Sequence, residues 1–179
     1  MACAGLKLIL PAVRWEGRRG SGLWPGTPVF CLLAEGVVVL SVDDVPVEEA
    51  WARLKTDDAA VLIDVRTKAE WTFVGVPDLS ALGRQVVTLE WQSLDGRVDP
   101  AFAERLSGYL RQAGKAENTE LFFICRSGAR SRAAAEAMAS AGYGRCHNVA
   151  DGFEGPPDAS RQRGKVAGWK AAGLPWVQG

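Results

Sequence analysis

The sequence of 179 residues contains only one histidine, His147. A Ser-His-Asp triad or a cysteine-histidine pair would have to use this residue, and a metal site with several histidine ligands is excluded. The four cysteines, Cys3, Cys31, Cys125 and Cys146, form no Cys-x-x-Cys pair. They therefore predict separate thiols rather than a zinc site or a disulfide framework, and we expect no cofactor.

The sequence also lacks an excess of charge and a long apolar run. Lys+Arg 21 balances Asp+Glu 21, which argues against a nucleic-acid-binding protein that works through bulk positive charge. The apolar run at residues 29–40 contains Glu35 and falls short of the roughly 18 residues that a membrane-spanning helix needs. We therefore expect a cytoplasmic protein that binds neither nucleic acid nor membrane.

Two regions differ in composition. Residues 1–36 contain many helix and strand breakers, among them Gly20, Gly22, Pro25 and Pro28. We expect this segment to be a poorly ordered N-terminal extension. Residues 37–179 carry regular hydrophobic patterns and are predicted to form one domain.

In this domain, short apolar strands alternate with helices. Strands are predicted over 37–40, 60–63, 85–89, 120–124 and 145–149, and helices over 47–54, 100–110, 133–141 and 165–172. Ser41, Asp43 and Asp44 are candidate N-caps for the first helix, and Thr67 is predicted to cap a further short helix. The alternation predicts an α/β fold with a mainly parallel sheet, and the apolar segment 120–124 is typical of its central strand.

The segment with the clearest chemical character begins at Cys125, directly after the predicted central strand. In an open α/β sheet, ligands bind beyond the carboxyl ends of the strands. A short loop that leads into a helix offers backbone N–H groups and positive potential to an anion. These features favour the thiolate, so Cys125 is predicted to be a nucleophile that needs no help from His147.

Other residues are predicted to support Cys125. Asp64 and Arg66, which directly follow the predicted strand at 60–63, are expected to brace the loop through hydrogen bonds or an ion pair. Cys146 is expected to be a buried thiol, although a redox role stays open. The expected substrate-binding residues of the loop are Arg126, Ser127, Gly128, Ala129, Arg130 and Ser131.

The run Cys-Arg-Ser-Gly-Ala-Arg-Ser at residues 125–131 resembles the active-site loop of the rhodanese (sulfurtransferase) family. Asp64-Val65-Arg66, Glu70-Trp71, the stretch 151–155 and the stretch 168–175 are similar to that family's other landmarks, in the same order. The resemblance covers about residues 38–176. It departs from the family at residues 74–79, which lack a common Gly-His-Ile-Pro-Gly-Ala stretch, and at the polar insertion 156–165.

The resemblance implies a single-domain, rhodanese-like α/β fold with helices on both faces of the sheet. It implies that the cysteine takes a sulfane sulfur from a small anionic donor such as thiosulfate, or from a persulfide. The sulfur would be held as a Cys125 persulfide and passed to cyanide or a thiol. A protein sulfur acceptor stays open.

Two other functions are considered. A rhodanese-like dual-specificity cysteine phosphatase, or a related arsenate reductase, shares the strand-loop-helix arrangement. A phosphatase loop places five residues between the cysteine and the arginine that clamps phosphate, whereas this sequence has Ser131 at that position. A non-catalytic rhodanese-like binding module is the second alternative, and the intact Cys125 loop argues against it.

Overall fold

The computed structural model describes residues 29–33, 36–40 and 42–178. Strands β1 (Val29–Leu33) and β2 (Gly36–Leu40) pair as an antiparallel hairpin. The sequence predicted β2 but no regular structure before residue 37. The difference at β1 reflects the apolar run at residues 29–33, whose strand-forming residues outweigh the breakers that precede them. The rest of the predicted extension, residues 1–28 and 34–35, lies outside the described residues.

A five-stranded parallel sheet forms the centre of the domain. Its strands are β3 (Asp43–Val45), β4 (Val61–Asp64), β6 (Val87–Thr88), β7 (Leu121–Ile124) and β8 (Cys146–Val149). Their order across the sheet is β3-β8-β7-β4-β6. All four residues of β7 are buried, and β7 is the middle strand, which confirms the prediction from its unbroken apolar character. The strand predicted over 85–89 is shorter, with only two residues in β6.

Helices pack on both faces of this sheet, as predicted. The helices are α1 (Val47–Thr56), α2 (Lys68–Val74), α3 (Phe102–Gln112) and α4 (Ala129–Ser140). Successive strand residues point to opposite faces, so Ile63 packs in the hydrophobic cluster that includes α3 and α4, and Leu62 packs in the cluster that includes α1. The sheet core therefore fixes the carboxyl end of β7 from both sides.

The helix starts show one correct and one wrong prediction. Thr67 caps α2, and its side chain and that of Glu70 form a reciprocal capping box. Asp43 and Asp44 were wrong as N-caps for α1, since both lie in β3 and the N-cap is Pro46. The third candidate, Ser41, lies outside the described residues. Parallel pairing with β8 extends residues 43–45, and Pro46, whose ring fixes φ at −58° while ψ stays extended at 151°, is the last residue before the helix.

The helix predicted over residues 165–172 is wrong. This region forms turns, because Gly164 and Gly168 have φ angles of +77° and +88°, which a right-handed helix does not accept. The segment closes with β9 (Trp176–Val177), which pairs antiparallel with β5 (Val76–Pro77). Among the described residues, no helix combines the length and the apolar character needed to cross a membrane.

Candidate active site

Cys125 lies directly after β7, at the carboxyl edge of the sheet, and only 1% of it is exposed. Its Sγ accepts a hydrogen bond from the backbone N–H of Gly128 at 3.2 Å. Ser131 Oγ also lies 3.2 Å from Sγ. The thiol is therefore held in a compact cradle between the strand and the start of α4.

The cradle is short because α4 starts at Ala129, four residues earlier than predicted. Gly128 has a φ of +97°, the left-handed conformation that favours glycine, and this turns its N–H towards the sulfur. Arg126, Ser127 and Ala129 are exposed, whereas Gly128 and Ser131 are buried. The predicted loop residues thus form an exposed rim and a buried floor.

The rim arginines differ in their contacts. Arg130 Nη1 and Nη2 donate to the two carboxylate oxygens of Glu70 at 2.8 and 2.7 Å, so its charge is neutralised by α2. Arg132 pairs with Asp44 at 2.6 Å. Arg126, in contrast to Arg130 and Arg132, forms no ion pair with any residue that the structure describes. The sequence assigned Arg130 to substrate, and its geometry makes it a link between α4 and α2.

Glu70 is a residue whose role sequence reasoning missed. Burial alone would raise the pKa of its carboxyl group, but hydrogen bonds from Arg130 and from the Thr67 backbone outweigh burial and lower the pKa to about 2. The capping box at Thr67 was visible in the sequence, but the partner 60 residues away was not. Glu70 therefore remains an anion beside the cradle over a wide pH range.

Replacing Glu70 with glutamine is expected to destabilise the domain by about 2 kcal/mol at neutral pH, because one charged hydrogen-bonded pair is lost. The pKa of Glu70 is lowered from 4.5, so the carboxylate stabilises the folded state above about pH 4.5, and this contribution disappears as the pH falls towards 2. Urea unfolding of both proteins at pH 7 and pH 3 measures the difference. A difference that grows at pH 3 would contradict the assignment.

Asp64 and Arg66 form an ion pair of 2.5 Å in which both side chains are fully buried. Arg66 also donates to the Gly75 carbonyl at 2.6 Å, and its guanidinium stacks 4.1 Å from the centre of the Phe153 ring. The Phe153 N–H in turn donates to the Cys125 carbonyl at 2.7 Å. Phe153 therefore contacts both the buried ion pair, through its ring, and the cysteine loop, through its backbone N–H.

The segment at residues 151–155 supports the loop from behind. The Glu154 and Gly155 N–H groups donate to the Arg126 carbonyl at 3.0 and 3.2 Å. A Cβ atom on Gly152 would lie only 2.4 Å from the Cys125 carbonyl oxygen. Sequence reasoning noted these residues only as landmarks, although Gly152 and Gly155 come shortly after β8 and glycine is common where two backbones approach closely.

Cys146 and His147 lie away from this cradle. Cys146 pairs with Leu121 at the start of β7, and Cys125 lies four positions further along the chain, a span of about 13 Å. A disulfide between the two cysteines is excluded at that separation. Burial raises the pKa of Cys146 to about 12, which favours the protonated thiol over the reactive thiolate. His147 pairs with Phe122 and lies 3.1 Å from Glu120, so it is not a base for Cys125.

A central parallel sheet with a cysteine loop between its middle strand and the next helix defines a rhodanese-like domain. The solution structure of the polysulfide-sulfur transferase homodimer from Wolinella succinogenes has this fold, with a TM-score of 0.50 and 18% identity over 77% of this chain and 80% of that chain. A family model described as the STR4 middle domain matches residues 43–179. The chain belongs to the family that this model describes.

Several relatives are similar over most of the domain. The crystal structure of Rv0390 from M. tuberculosis is 46% identical, covers 77% of this chain and 98% of that chain, and has a TM-score of 0.69. The uncharacterized protein RC0915 of Rickettsia conorii is 35% identical over 76% of this chain and 98% of its own length. The chloroplastic rhodanese-like domain-containing protein 4 of Arabidopsis thaliana is 30% identical over 73% of this chain, which spans 25% of that protein.

Proposed function

We propose that this protein is a sulfurtransferase that carries a sulfane sulfur as a persulfide on Cys125. The observation that carries the proposal is the cradle itself: a thiol at the carboxyl end of β7, with the Gly128 N–H at 3.2 Å and the start of a twelve-residue helix beside it. Backbone N–H groups and a helix N-terminus stabilise an anion, and a persulfide is anionic.

The reaction balances with this chain's own thiolate and two external reactants. The Cys125 thiolate attacks the outer sulfur of thiosulfate, a new S–S bond forms, and sulfite leaves with the electron pair of the broken S–S bond. Cyanide or a thiolate then attacks the terminal sulfur, and the departing Cys125 sulfur regains its electron pair. The thiolate is restored, so no redox cofactor is needed.

The phosphatase alternative is less well supported by the geometry. Phosphate transfer needs a guanidinium that clamps the oxyanion in the loop. Arg130 instead forms its two hydrogen bonds with Glu70, and buried Ser131 occupies the position at which a phosphatase has its arginine. A cradle lined by one N–H and one hydroxyl fits a single added sulfur atom better than a phosphate group.

The proposed setting is a reducing compartment such as the cytoplasm. Cys125 and Cys146 are both free thiols, and such compartments keep thiols reduced. The proposed partners are a small anionic sulfur donor and a thiol or cyanide acceptor, which includes a thiol on another protein. The exposed Arg126 is the charge available to attract such a donor.

The test is mass spectrometry of the full chain after exposure to thiosulfate. The expected result is an increase by the mass of one sulfur atom on the peptide that contains Cys125, reversed by cyanide with release of thiocyanate. The peptide that contains Cys146 is the internal control, because its desolvated thiol is expected to stay unmodified. Turnover of an aryl phosphate without any added sulfur would overturn the proposal in favour of the phosphatase.

A further inference from the structure

A chain of three polar side chains, Ser131, Asn148 and Asp44, connects Cys125 to an edge strand of the sheet. Asn148 Nδ2 donates to Asp44 Oδ1 at 2.6 Å, Asn148 Oδ1 lies 2.6 Å from Ser131 Oγ, and Ser131 Oγ lies 3.2 Å from Cys125 Sγ. Asp44 and Asn148 are direct partners in the pairing of β3 with β8, which places their side chains on one face. Ser131 comes from the first turn of α4.

The direction of these hydrogen bonds follows from the chemistry of the groups. The Asp44 carboxylate can only accept, so the amide nitrogen of Asn148 must face it and the amide oxygen must face Ser131. Burial alone would raise the pKa of Asp44, but hydrogen bonds from Asn148 and Arg132 outweigh burial and lower the pKa, which keeps the carboxylate charged. Asn148 is therefore fixed as an acceptor towards the hydroxyl.

Ser131 has one proton and three neighbouring acceptors. Asn148 Oδ1 is the nearest at 2.6 Å, followed by the Gly128 carbonyl at 3.0 Å and Cys125 Sγ at 3.2 Å. Ser131 and Asn148 are 0% and 4% exposed, so their partners are each other rather than bulk water. When the Ser131 hydroxyl donates its hydrogen bond to Asn148 Oδ1, only its lone pairs face the sulfur. Lone pairs can accept a hydrogen bond from a protonated thiol, but they destabilise a thiolate.

We propose that Asp44 and Asn148 are positioning residues that hold the Ser131 hydroxyl turned away from Cys125 and so restrain the nucleophilicity of the resting thiol. The inference rests on the proposed function of Cys125 and adds a control to it. The Gly128 N–H acts in the opposite sense, because it stabilises the thiolate. The charged groups that face Asp44 from α4 are Arg132 and, beyond it, Glu136.

The test is the pH dependence of alkylation of Cys125 by iodoacetamide, followed in the full chain by peptide mass spectrometry. In the Asp44→Asn variant the new amide can donate to Asn148, whose own amide then turns and donates to Ser131, so the hydroxyl proton is free for the sulfur. We expect alkylation at neutral pH to be about tenfold faster, with the profile shifted about one unit to lower pH, which corresponds to about 1.4 kcal/mol. Asp44→Ala removes the acceptor altogether and is expected to act in the same direction.

A double-mutant cycle separates this effect from the loss of a nearby negative charge. If Asp44 acts through Ser131, then Asp44→Asn has no effect in a Ser131→Ala background, whereas a simple field effect would persist there. Asp43→Asn is the matched control, since the exposed Asp43 is adjacent in β3 and its side chain points to the other face. It is expected to leave the rate unchanged.

An unchanged or slower rate in both Asp44 variants overturns the inference. Equal acceleration in the Ser131→Ala background, or by Asp43→Asn, overturns it as well. Alkylation does not require sulfur transfer, so this result is independent of the persulfide measurement. If persulfide forms but the double-mutant cycle shows no coupling between Asp44 and Ser131, the positioning role is overturned and the proposed function is retained.

Discussion

Replacing Cys125 with serine is expected to reduce thiosulfate-dependent formation of thiocyanate by about a thousandfold or more, because the reacting nucleophile is removed. Serine keeps the size of the side chain and still accepts a hydrogen bond from Gly128, so the fold is expected to persist. A colorimetric assay of thiocyanate measures the activity, and circular dichroism checks the fold.

The matched control is Cys146→Ala, which removes the buried cysteine that lies outside the loop. Cys146 Sγ contacts the Tyr143 carbonyl at 3.4 Å and lies at the opposite end of the sheet. Its loss is expected to lower the stability by about 1 kcal/mol through a small cavity, with the transfer rate per folded molecule unchanged. Full activity in Cys125→Ser, or complete loss in Cys146→Ala, would place the nucleophile elsewhere.

Gly152→Ala is expected to have the second large effect. The added Cβ would lie 2.4 Å from the Cys125 carbonyl oxygen and 2.8 Å from backbone atoms of Arg126 and Ser127, none of which is a flexible side-chain end. The φ of +63° adds the strain of a left-handed alanine. We expect a loss of about 4 kcal/mol in the free energy of unfolding, from the contributions of overpacking and backbone strain, together with displacement of the cysteine loop and a severe loss of transfer.

Gly83→Ala separates the two contributions. Gly83 has a φ of +66°, but a Cβ atom there meets nothing within 4 Å. This variant is expected to show only the conformational cost, about 1 kcal/mol, without a change in activity. Urea unfolding measures both variants. Equal destabilisation of the two would mean that segment 151–155 can retreat from the cysteine loop.

The sheet was predictable from the sequence because its signals are local and strong. The apolar run at residues 121–124 is typical of a strand that is buried on both faces inside a parallel sheet, and it lies there. The segment at 165–172 misled because its alanines and its tryptophan resemble a helix face. Gly168 packs its backbone against Gly152 and Gly155, so tertiary contact decided a segment that helix propensity describes poorly.

The position of the candidate site was also predictable, whereas the hydrogen bonds and ion pairs between its side chains were not. Cys125 followed from strand and loop order. The pairing of Arg130 with Glu70, and that of Asn148 with Asp44 and Ser131, joins residues 17 to 104 positions apart. Such pairs depend on the register of neighbouring strands and on the direction of two helix starts. A single sequence contains no local signal for either, so the arginines looked equivalent until their partners were in place.

The burial of Cys125 has a consequence for recognition of the empty and loaded protein. With 1% of the residue exposed, the empty form shows almost no sulfur at its surface. A persulfide would lengthen the side chain by one S–S bond, about 2 Å, beside the exposed rim of Arg126, Ser127 and Ala129. We expect the cargo itself to change the outline of the surface, so that an acceptor which docks on this rim would engage the loaded protein and release the empty one.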